Sequence, residues 1–589
     1  MSDFVAIEEL RKLLPDRFQL DDSGYLLYQV SSRKTFERIS NYLPVVKQWK
    51  RVCVPNQQPV IQVTFSLCIQ NTMTDEEWCE LLSEIDKVNF TTACNPRCYN
   101  EFPGSKTNML IAQVVLHQLQ FFTPIEVPYF EQLGWKPLLN ENVYCAGNML
   151  ITGDGIYSGE FKIDPELERY SLDISDEITE NEAINYLFDL MPLYPKVTDV
   201  LVANLIVGLT RTLFMDAQVP PKYAIYLVSL PHKGKTTYCT LINSIYNRSR
   251  DKEFNLANLS TITLVSMLQE ISRFKDCPYI IDDLYVENNI SAMKKREAAV
   301  STAIRTVANN AENRKQSGKE TVGFVPNATI VVTAEYLLEH AYSTLSRCVI
   351  LHLERQLETE KISPFQRQPL ALSTAAYYFI RWVAAHYESN VELIRSEHEQ
   401  FRERMDSATP GFERLHESCF ALEMGVRLLC NYAVDANALT REGAENTMAS
   451  MREIFSQIIE KQKEDMEISN SIEESSDLTY VIGCLLKQKK FRLASSKDEY
   501  DSKIHDGIQT EFLICLASKK LVQTLRNYLY DSTINQERIS HHLKGHGLLV
   551  MDQSEDSTKK TKRVRMFHIR KNELILLLES RKEQCHSPS

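Results

Sequence analysis

The sequence predicts a mixed α/β protein whose middle third is a mainly parallel sheet built around a phosphate-binding loop. Three observations carry this reading. Four short apolar runs, Tyr223–Ser229, Tyr279–Ile281, Thr329–Val332 and Cys348–Leu353, lie between stretches of helical spacing. Buried strands alternating with helices give a parallel sheet covered on both faces. The first run leads directly into Gly234, Lys235 and Thr236, and the second ends in two adjacent carboxylates, Asp282 and Asp283.

The elements follow in order along the chain. Tyr25–Val30, Pro44–Cys53 and Pro59–Gln70 are rich in β-branched and aromatic residues and read as strands. Thr74–Ile85 opens on a Thr followed by acids and is predicted as a capped helix. Asn108–Leu119 is a second amphipathic helix, and Asn181–Met215 is helical until Val219-Pro220-Pro221 breaks it. After the four strand–helix repeats, Ser373 to about Lys463 is helical and charged, and the polar stretch Asn470–Asp477 reads as a linker. The tail changes character. Ser518–Tyr530 and Asn535–His542 are helices, Gly545 and Gly547 follow, and Leu548–Asp552 and Arg563–Ile569 are strands joined by a basic loop. These shifts divide the chain into 1–180, a mixed α/β N-terminal region, 181–365, the sheet with its loop, 366–470, a helical lid or linker, and 478–580, a C-terminal module. No internal repeat is visible, which excludes solenoids and propellers.

A chain of 589 residues with a net charge of -12 is a multi-domain globular protein. Its acidic balance excludes nucleic-acid binding over the whole surface and confines any such contact to a loop, wing or channel. The opening residues are mixed and charged, and no run approaches the roughly 20 apolar residues of a membrane span. The 14 Cys are scattered, and the closest spacing, Cys94 and Cys98, has no His nearby. Ordinary reduced thiols in a cytoplasmic protein without membrane contact are expected.

The phosphate loop has a physical reading residue by residue. Ser229 to Thr236 match G-x-x-x-x-G-K-[ST] except that Ser229 stands at the first glycine. A loop leaving a buried strand and entering a helix aims several N–H groups, and the helix dipole, at one spot. Ser229, Pro231, His232, Lys233, Gly234, Lys235, Thr236 and Thr237 would line a triphosphate. Lys235 would reach its β and γ phosphates, and Thr236 with Asp282 would hold Mg²⁺. Asp283 would orient or deprotonate the attacking water. Thr333, at the end of the third run, would place that water, or else only cap its own backbone. Arg347, just before the fourth run, would stabilise transition-state charge on a neighbouring subunit's phosphate, or else be a surface arginine. Arg381 is a candidate second sensor.

Two basic segments are candidate nucleic-acid contacts. Residues 308–319, with Arg314, Lys315 and Lys319, read as a hairpin that either grips a phosphate backbone or stays solvated. A helix carrying Lys294, Lys295 and Arg296 is open to the same two readings. In the tail, Lys559, Lys560, Lys562, Arg563, Arg565 and Arg570 fall in a stretch, 557–572, that holds no acid. With the preceding helix and Gly turn this reads as a winged helix, used for DNA or for protein contacts.

The string from Asn181 to Leu353, with the loop at 229–236, AIRTVANNAENRKQSGKE before VVTAE, and then STLSRCVILHLE, resembles an AAA+ ATPase. It is similar in particular to the MCM-like helicases of mobile genetic elements, notably the Cch-type replication proteins of staphylococcal cassette chromosomes. Leu133-Gly134-Trp135 followed by Asn142–Leu150, and the winged-helix tail, also resemble that group. The resemblance implies ATP and Mg²⁺, a hexameric ring, and translocation on single-stranded or forked DNA during replication. Two departures, Ser229 for Gly and Asp283 for Glu, fall at the catalytic loop. The rival readings are a signal-transducing ATPase switch with a winged helix and a nucleotide-binding DNA scaffold with little turnover.

Overall fold

A computed structural model of the chain describes all residues except 1–6, 31–34, 55–57, 89, 91–94, 103, 139–140, 230, 249–254, 286–289, 318–319, 339–341, 356–357, 406–411, 475–476, 530–533, 551–558, 562–563 and 586–589. The chain forms two compact units. One comprises Met1–Glu131 with Tyr157–Glu168, the other Gln132–Ile156 with Arg169–Ser589.

The first unit begins with α1 (Ile7–Lys12) and an antiparallel three-stranded sheet, β1 (Phe18–Leu20), β2 (Leu26–Val30) and β3 (Thr35–Ser40). Long strands β4 (Tyr42–Val52), β5 (Val60–Ile69) and β6 (Thr72–Leu81) form a second sheet in the order β6-β5-β4-β7, with β7 at Ile125–Val127. Helix α2 (Gly104–Gln118) belongs to the same core, and its Gln118 side chain bonds the β4 backbone at Val46 N and Pro44 O. β8 (Tyr129–Phe130) pairs in parallel with β13 (Lys162–Ile163). One expectation fails in this unit. Thr74–Ile85 is not a helix: residues 72–81 are the edge strand β6, and only Leu82–Lys87 form a single 3₁₀ segment. Antiparallel pairing with β5 and the stacking of Trp78 on Phe65, 6.4 Å between centroids, outweigh the local cap signal. The acids at 75, 76, 77 and 80 sit on an edge strand, where charge discourages pairing with another chain.

In the second unit an antiparallel sheet, β9 (Gly134–Leu138), β10 (Glu141–Cys145), β11 (Leu150–Thr152) and β12 (Gly155–Ile156), comes first. Gly134 has φ +85, and a Cβ there would meet Lys275 O at 2.5 Å and Asp276 Oδ2 at 2.6 Å, so only glycine fits. The neighbouring Trp135 N–H donates to the fully buried Asp276 at 2.9 Å, and its indole N–H to Leu209 O at 2.7 Å. Helix α3 (Glu180–Leu190) starts on a Thr179/Glu182 capping box. Helix α4 (Val197–Leu209) is apolar on nearly every side and is accordingly buried along its whole length. Short α5 (Arg211–Asp216) follows.

The central sheet is parallel throughout, in the order β15-β16-β19-β14-β20. Its strands are β14 (Ala224–Val228), β15 (Leu256–Asn258), β16 (Pro278–Leu284), β19 (Thr329–Ala334) and β20 (Cys348–His352). Every residue of β14 and β19 is buried, as two-faced coverage requires. Helices α6 (Lys235–Asn243), α7 (Leu264–Arg273), α8 (Ile290–Ala308) and α9 (Tyr342–Leu345) connect the strands. An antiparallel hairpin, β17 (Asn313–Ser317) and β18 (Glu320–Phe324), is inserted between α8 and β19.

Helices α10 (Thr359–Gln366), α11 (Ala371–Ala385), α12 (Tyr387–Met405), α13 (Glu413–Asp435) and α14 (Arg441–Glu474) follow. The stretch read as a linker is helical up to Glu474, so α14 continues through most of it. Polar residues carry the same composition in a helix as in a linker, which is why composition alone misleads here.

The tail holds α15 (Leu478–Lys487), α16 (Ser518–Leu529), α17 (Gln536–Gly545) and α18 (Lys571–Cys585) against a five-stranded sheet. Its strands are β21 (Leu493–Ala494), β22 (Gly507–Gln509), β23 (Leu513–Ala517), β24 (Lys559–Thr561) and β25 (Val564–Arg570). Residues 548–550 are not a full strand: Leu549 makes one bridge to Ile569, and the ladder on that edge of β25 resumes at β24.

Candidate functional site

The site lies at the carboxyl ends of β14, β16 and β19. Because β19 separates the phosphate-loop strand from the strand that carries the acids, its last residues stand between the two. The loop itself leaves β14 at Ser229, whose N–H donates to Ala334 O at 3.0 Å. Ser229 has no positive φ; His232 (φ 62) and Gly234 (φ 86) do. Among the described residues of the turn, the left-handed positions are thus the fourth and sixth of the motif, and a side chain at its first position meets no backbone conflict. Pro231 and Lys233 lie in the turn, partly buried. Gly234 is the N-cap of α6, and Lys235, Thr236 and Thr237 form its first turn. Leu230 lies outside the described residues.

Lys235 Nζ donates to Ser229 O at 2.9 Å, crossing the mouth of the loop. Burial pulls its pKa below the usual lysine value, while the negative charges of Glu335, Asp282 and Asp283 act the other way. The Thr236 hydroxyl donates to both oxygens of Asp282, at 2.9 and 3.2 Å. The Thr333 hydroxyl donates to Asp282 Oδ1 at 2.5 Å and accepts the Asp283 N–H at 3.1 Å. Thr333 is fully buried and Asp282 is 7% exposed, so this small network is rigidly set.

Asp283 is the strained member. It sits at φ 76 where the β16–β19 register shifts between Ile281 and Leu284. The bulge turns its exposed side chain out of the ladder while its N–H stays on Thr333. Asp tolerates the left-handed region better than most residues, which gives the shorter acid a physical reason at this position. Burial, then the charge of Asp282, raise the Asp283 pKa, and Lys235 and Arg296 lower it. Arg296, on α8, lies over the Tyr285 ring at 4.8 Å.

Arg347 stands apart from these groups. Its Nε donates to Asn309 Oδ1 at 3.0 Å and its Nη1 to Ser343 O and Oγ, the latter at 3.0 Å. Its backbone carbonyl accepts the Ala224 N–H at 3.1 Å, which ties it to the start of β14, opposite the strand end where the loop begins. A single subunit therefore does not bring Arg347 to Lys235. Arg381 is ion-paired with Glu180 at 3.0 Å and lies over Tyr378, rather than bonding to the loop.

Sequence reasoning missed two residues. The negative charge of Glu335 acts on Lys235 more strongly than those of Asp282 and Asp283. It follows Thr333 by two positions, a spacing that shares one side of an extended chain and was available as a signal. Tyr194, between α3 and α4, accepts the N–H groups of Glu354 and Arg355 at 2.8 and 2.9 Å, a contact no local pattern announces. A cavity of about 280 Å³ opens beside the loop, lined among others by Ser229, Lys233, Glu335, His352, Glu354 and Lys489.

Of the candidate DNA contacts, Arg314 projects from β17 with a side chain 72% exposed, paired to Glu312 at 3.0 Å. Lys315 is on the same strand and Lys319 lies outside the described residues. Lys559 and Lys560 are on β24, Arg565 is exposed on β25, and Lys562 and Arg563 lie outside the described residues. Among the described residues no helix is long and apolar enough to cross a membrane. Nor, among them, do three or more His, Cys, Asp or Glu gather as a metal cluster.

No family model and no curated protein matches the chain. Among solved structures it is similar to the SCCmec type IV Cch active helicase, at 11% identity and a TM-score of 0.48, over 95% of this chain and 99% of that one. It is also similar to a JCV helicase bound to a thiazolopyridine acetamide, at 13% identity and a TM-score of 0.23, over 43% of this chain and 66% of that one. A third is the apo C-terminal region of NrS-1, at 9% identity and a TM-score of 0.24, over 86% and 94%. None exceeds a TM-score of 0.48, so any functional reading rests on the residues of the site.

Proposed function

We propose that this chain is an ATP hydrolase that couples turnover to movement on single-stranded or forked DNA, a helicase or translocase. The observation that carries it is the Thr236–Asp282–Thr333–Asp283 hydrogen-bond network, set beside Lys235 at the mouth of a strand-to-helix phosphate loop. A surface turn before a helix has no need of a buried carboxylate held by two hydroxyls. Lys235, Gly234 and the first N–H groups of α6 bind the triphosphate. The Thr236 hydroxyl and the Asp282 carboxylate are hard oxygen donors 2.9 Å apart, a set that fits Mg²⁺ completed by phosphate oxygens and water. That ion, when bound, neutralises charge on the phosphates. Asp283, exposed and raised in pKa, accepts the proton of the attacking water, and Thr333 fixes Asp283 by its backbone.

Arg347 acts on the neighbouring subunit's phosphate, which requires an oligomer. The resemblance to MCM-like helicases of mobile genetic elements extends this reading to a six-membered ring replicating such an element. On it, 181–365 is an AAA+ core, 366–470 its lid, 1–180 an accessory region and 478–580 a winged helix. The hairpin at Arg314 to Lys319 and the basic strands around Lys559–Arg565 contact the DNA backbone, in a salt-dependent way.

Hydrolysis by the full chain with and without forked DNA tests this. DNA is expected to accelerate turnover, and Lys235→Ala to abolish binding of a fluorescent ATP analogue. Turnover indifferent to DNA would sink the helicase reading. Retained binding in Lys235→Ala would sink the site itself.

A further inference from the structure

Two adjacent asparagines close α8 and open the β17–β18 hairpin, and each is held by a different arginine. Asn310 takes the left-handed conformation that ends the helix, φ 46. Its Oδ1 accepts from Arg211 Nη2 at 2.8 Å, and the same nitrogen donates to Pro326 O at 2.9 Å. Pro326 is on the far side of the hairpin, so one buried guanidinium clamps both of its feet. Asn309, by contrast, is exposed, and its Oδ1 accepts from Arg347. The first clamp is fixed by burial. The second is at the surface and open to exchange.

The surroundings of Arg347 favour that exchange. Its bonded partners, Asn309 and Ser343, are neutral. Arg305, one turn back on α8, donates its Nε to Thr344 Oγ1 at 3.0 Å, and Thr344 O in turn accepts the Arg347 N–H at 3.1 Å. Burial first, then the like charges of Arg414 and Arg305, hold the Arg347 pKa below its usual value. A guanidinium among cations, bonded to neutral groups alone among the described residues, gains by moving to an anion. A charge-assisted bond to phosphate is roughly twice as strong as a neutral one.

We propose that Asn309 is a positioning residue that links Arg347 to the hairpin, holding the hairpin's first foot until Arg347 leaves for the phosphate of a neighbouring copy. This rests on the reading of Arg347 given above. Released at Asn309 but still clamped at Asn310 and Pro326, the hairpin pivots on the Arg211 contact. Nucleotide bound in one subunit thereby changes how the next subunit's hairpin meets DNA. By reciprocity, DNA on the hairpin changes how readily Arg347 is released.

The test is hydrolysis by the full chain carrying Asn309→Ala, measured with and without single-stranded DNA, beside Arg347→Ala. Asn309→Ala, which removes the partner that competes for Arg347, is expected to raise or maintain basal turnover while the ratio of DNA-stimulated to basal turnover falls about fivefold or more, within the usual range of coupling between sites. Asn309→Asp, which gives Arg347 an anionic partner in place, is expected to lower both basal and stimulated turnover at the same salt concentration. A ratio unchanged in Asn309→Ala, with Arg347→Ala inactive, overturns the link and leaves the shared site standing. Stimulated turnover at the wild-type rate in Arg347→Ala overturns both. Should Asn309→Ala fold poorly, Asn309→Asp decides, and turnover at the wild-type rate in that variant counts against the link.

Discussion

Asp283 and Asp199 show how one residue type is used in opposite ways within one unit. Asp283 is pushed out of its ladder by a bulge and keeps an exposed carboxylate. Asp199 is in the first turn of a buried helix, 8% exposed, accepting the Lys196 N–H at 2.7 Å. Burial lifts its pKa from 3.8 to about 6, against the pull of those backbone N–H groups. An acid with a raised folded pKa holds its proton more tightly when folded. Its stabilising share is fully present below the unfolded value and is lost as pH rises through about 6. A shift of about two units corresponds to about 3 kcal/mol, an upper bound here. Asp199→Asn is therefore expected to flatten the pH dependence of stability between about pH 4 and 6, and to be the more stable protein at about pH 8. Urea unfolding midpoints at those pH values measure this. A variant that tracks the parent at each pH refutes the raised pKa.

At the scale of elements, α5 matters beyond its six residues. Its first residue, Arg211, clamps both feet of the β17–β18 hairpin, Thr212 caps Asp276 at 2.6 Å through both its N–H and its hydroxyl, and Asp216 accepts from Tyr387 on α12 at 2.7 Å. Arg211 is fully buried, and its pKa falls to about 10. Arg211→Met keeps much of the volume but strands one buried acceptor, Pro326 O, and one half-buried acceptor, Asn310 Oδ1, which costs about 1–3 kcal/mol. The expected result is a lower denaturation midpoint, together with faster amide exchange in 310–327 than in β14. Uniform exchange across both would show that the clamp is not local.

The same elements show what the sequence makes legible. Four of the five parallel strands announce themselves because two-faced burial leaves continuous apolar runs, and the loop because Gly234, Lys235 and Thr236 stand in the fixed order of a phosphate-binding motif. β6 does not, because Thr74 and the acids after it imitate a helix start and only pairing with β5 decides. The Arg211 clamp is equally silent, since Arg211 and Pro326 meet across more than a hundred residues.

For the whole molecule, the decisive geometry is a separation. Arg347 is anchored at the start of β14 through Ala224, while Lys235, Thr236 and the acids gather at the other end of the strands. On the proposed reading, one chain carries two halves of a site that it does not itself join, and a second copy presents Arg347 to the first copy's phosphate loop. This arrangement has a consequence that simple loss-of-function variants do not. Arg347→Ala has an intact phosphate loop but no cation to lend, and Asp283→Ala lends its cation but cannot handle the water. Each alone is expected to bind ATP and hydrolyse it at least about 10²-fold more slowly. Mixed in equal amounts, some neighbours pair an intact Arg347 with an intact Asp283, and turnover is expected to return to a measurable fraction of the parent's. The recovery should require co-assembly and be absent when the two variants are assembled separately and assayed before their subunits exchange. Steady-state hydrolysis across mixing ratios, with light scattering to follow assembly, reads this directly. A mixture no more active than its components would place Arg347 outside the catalytic site.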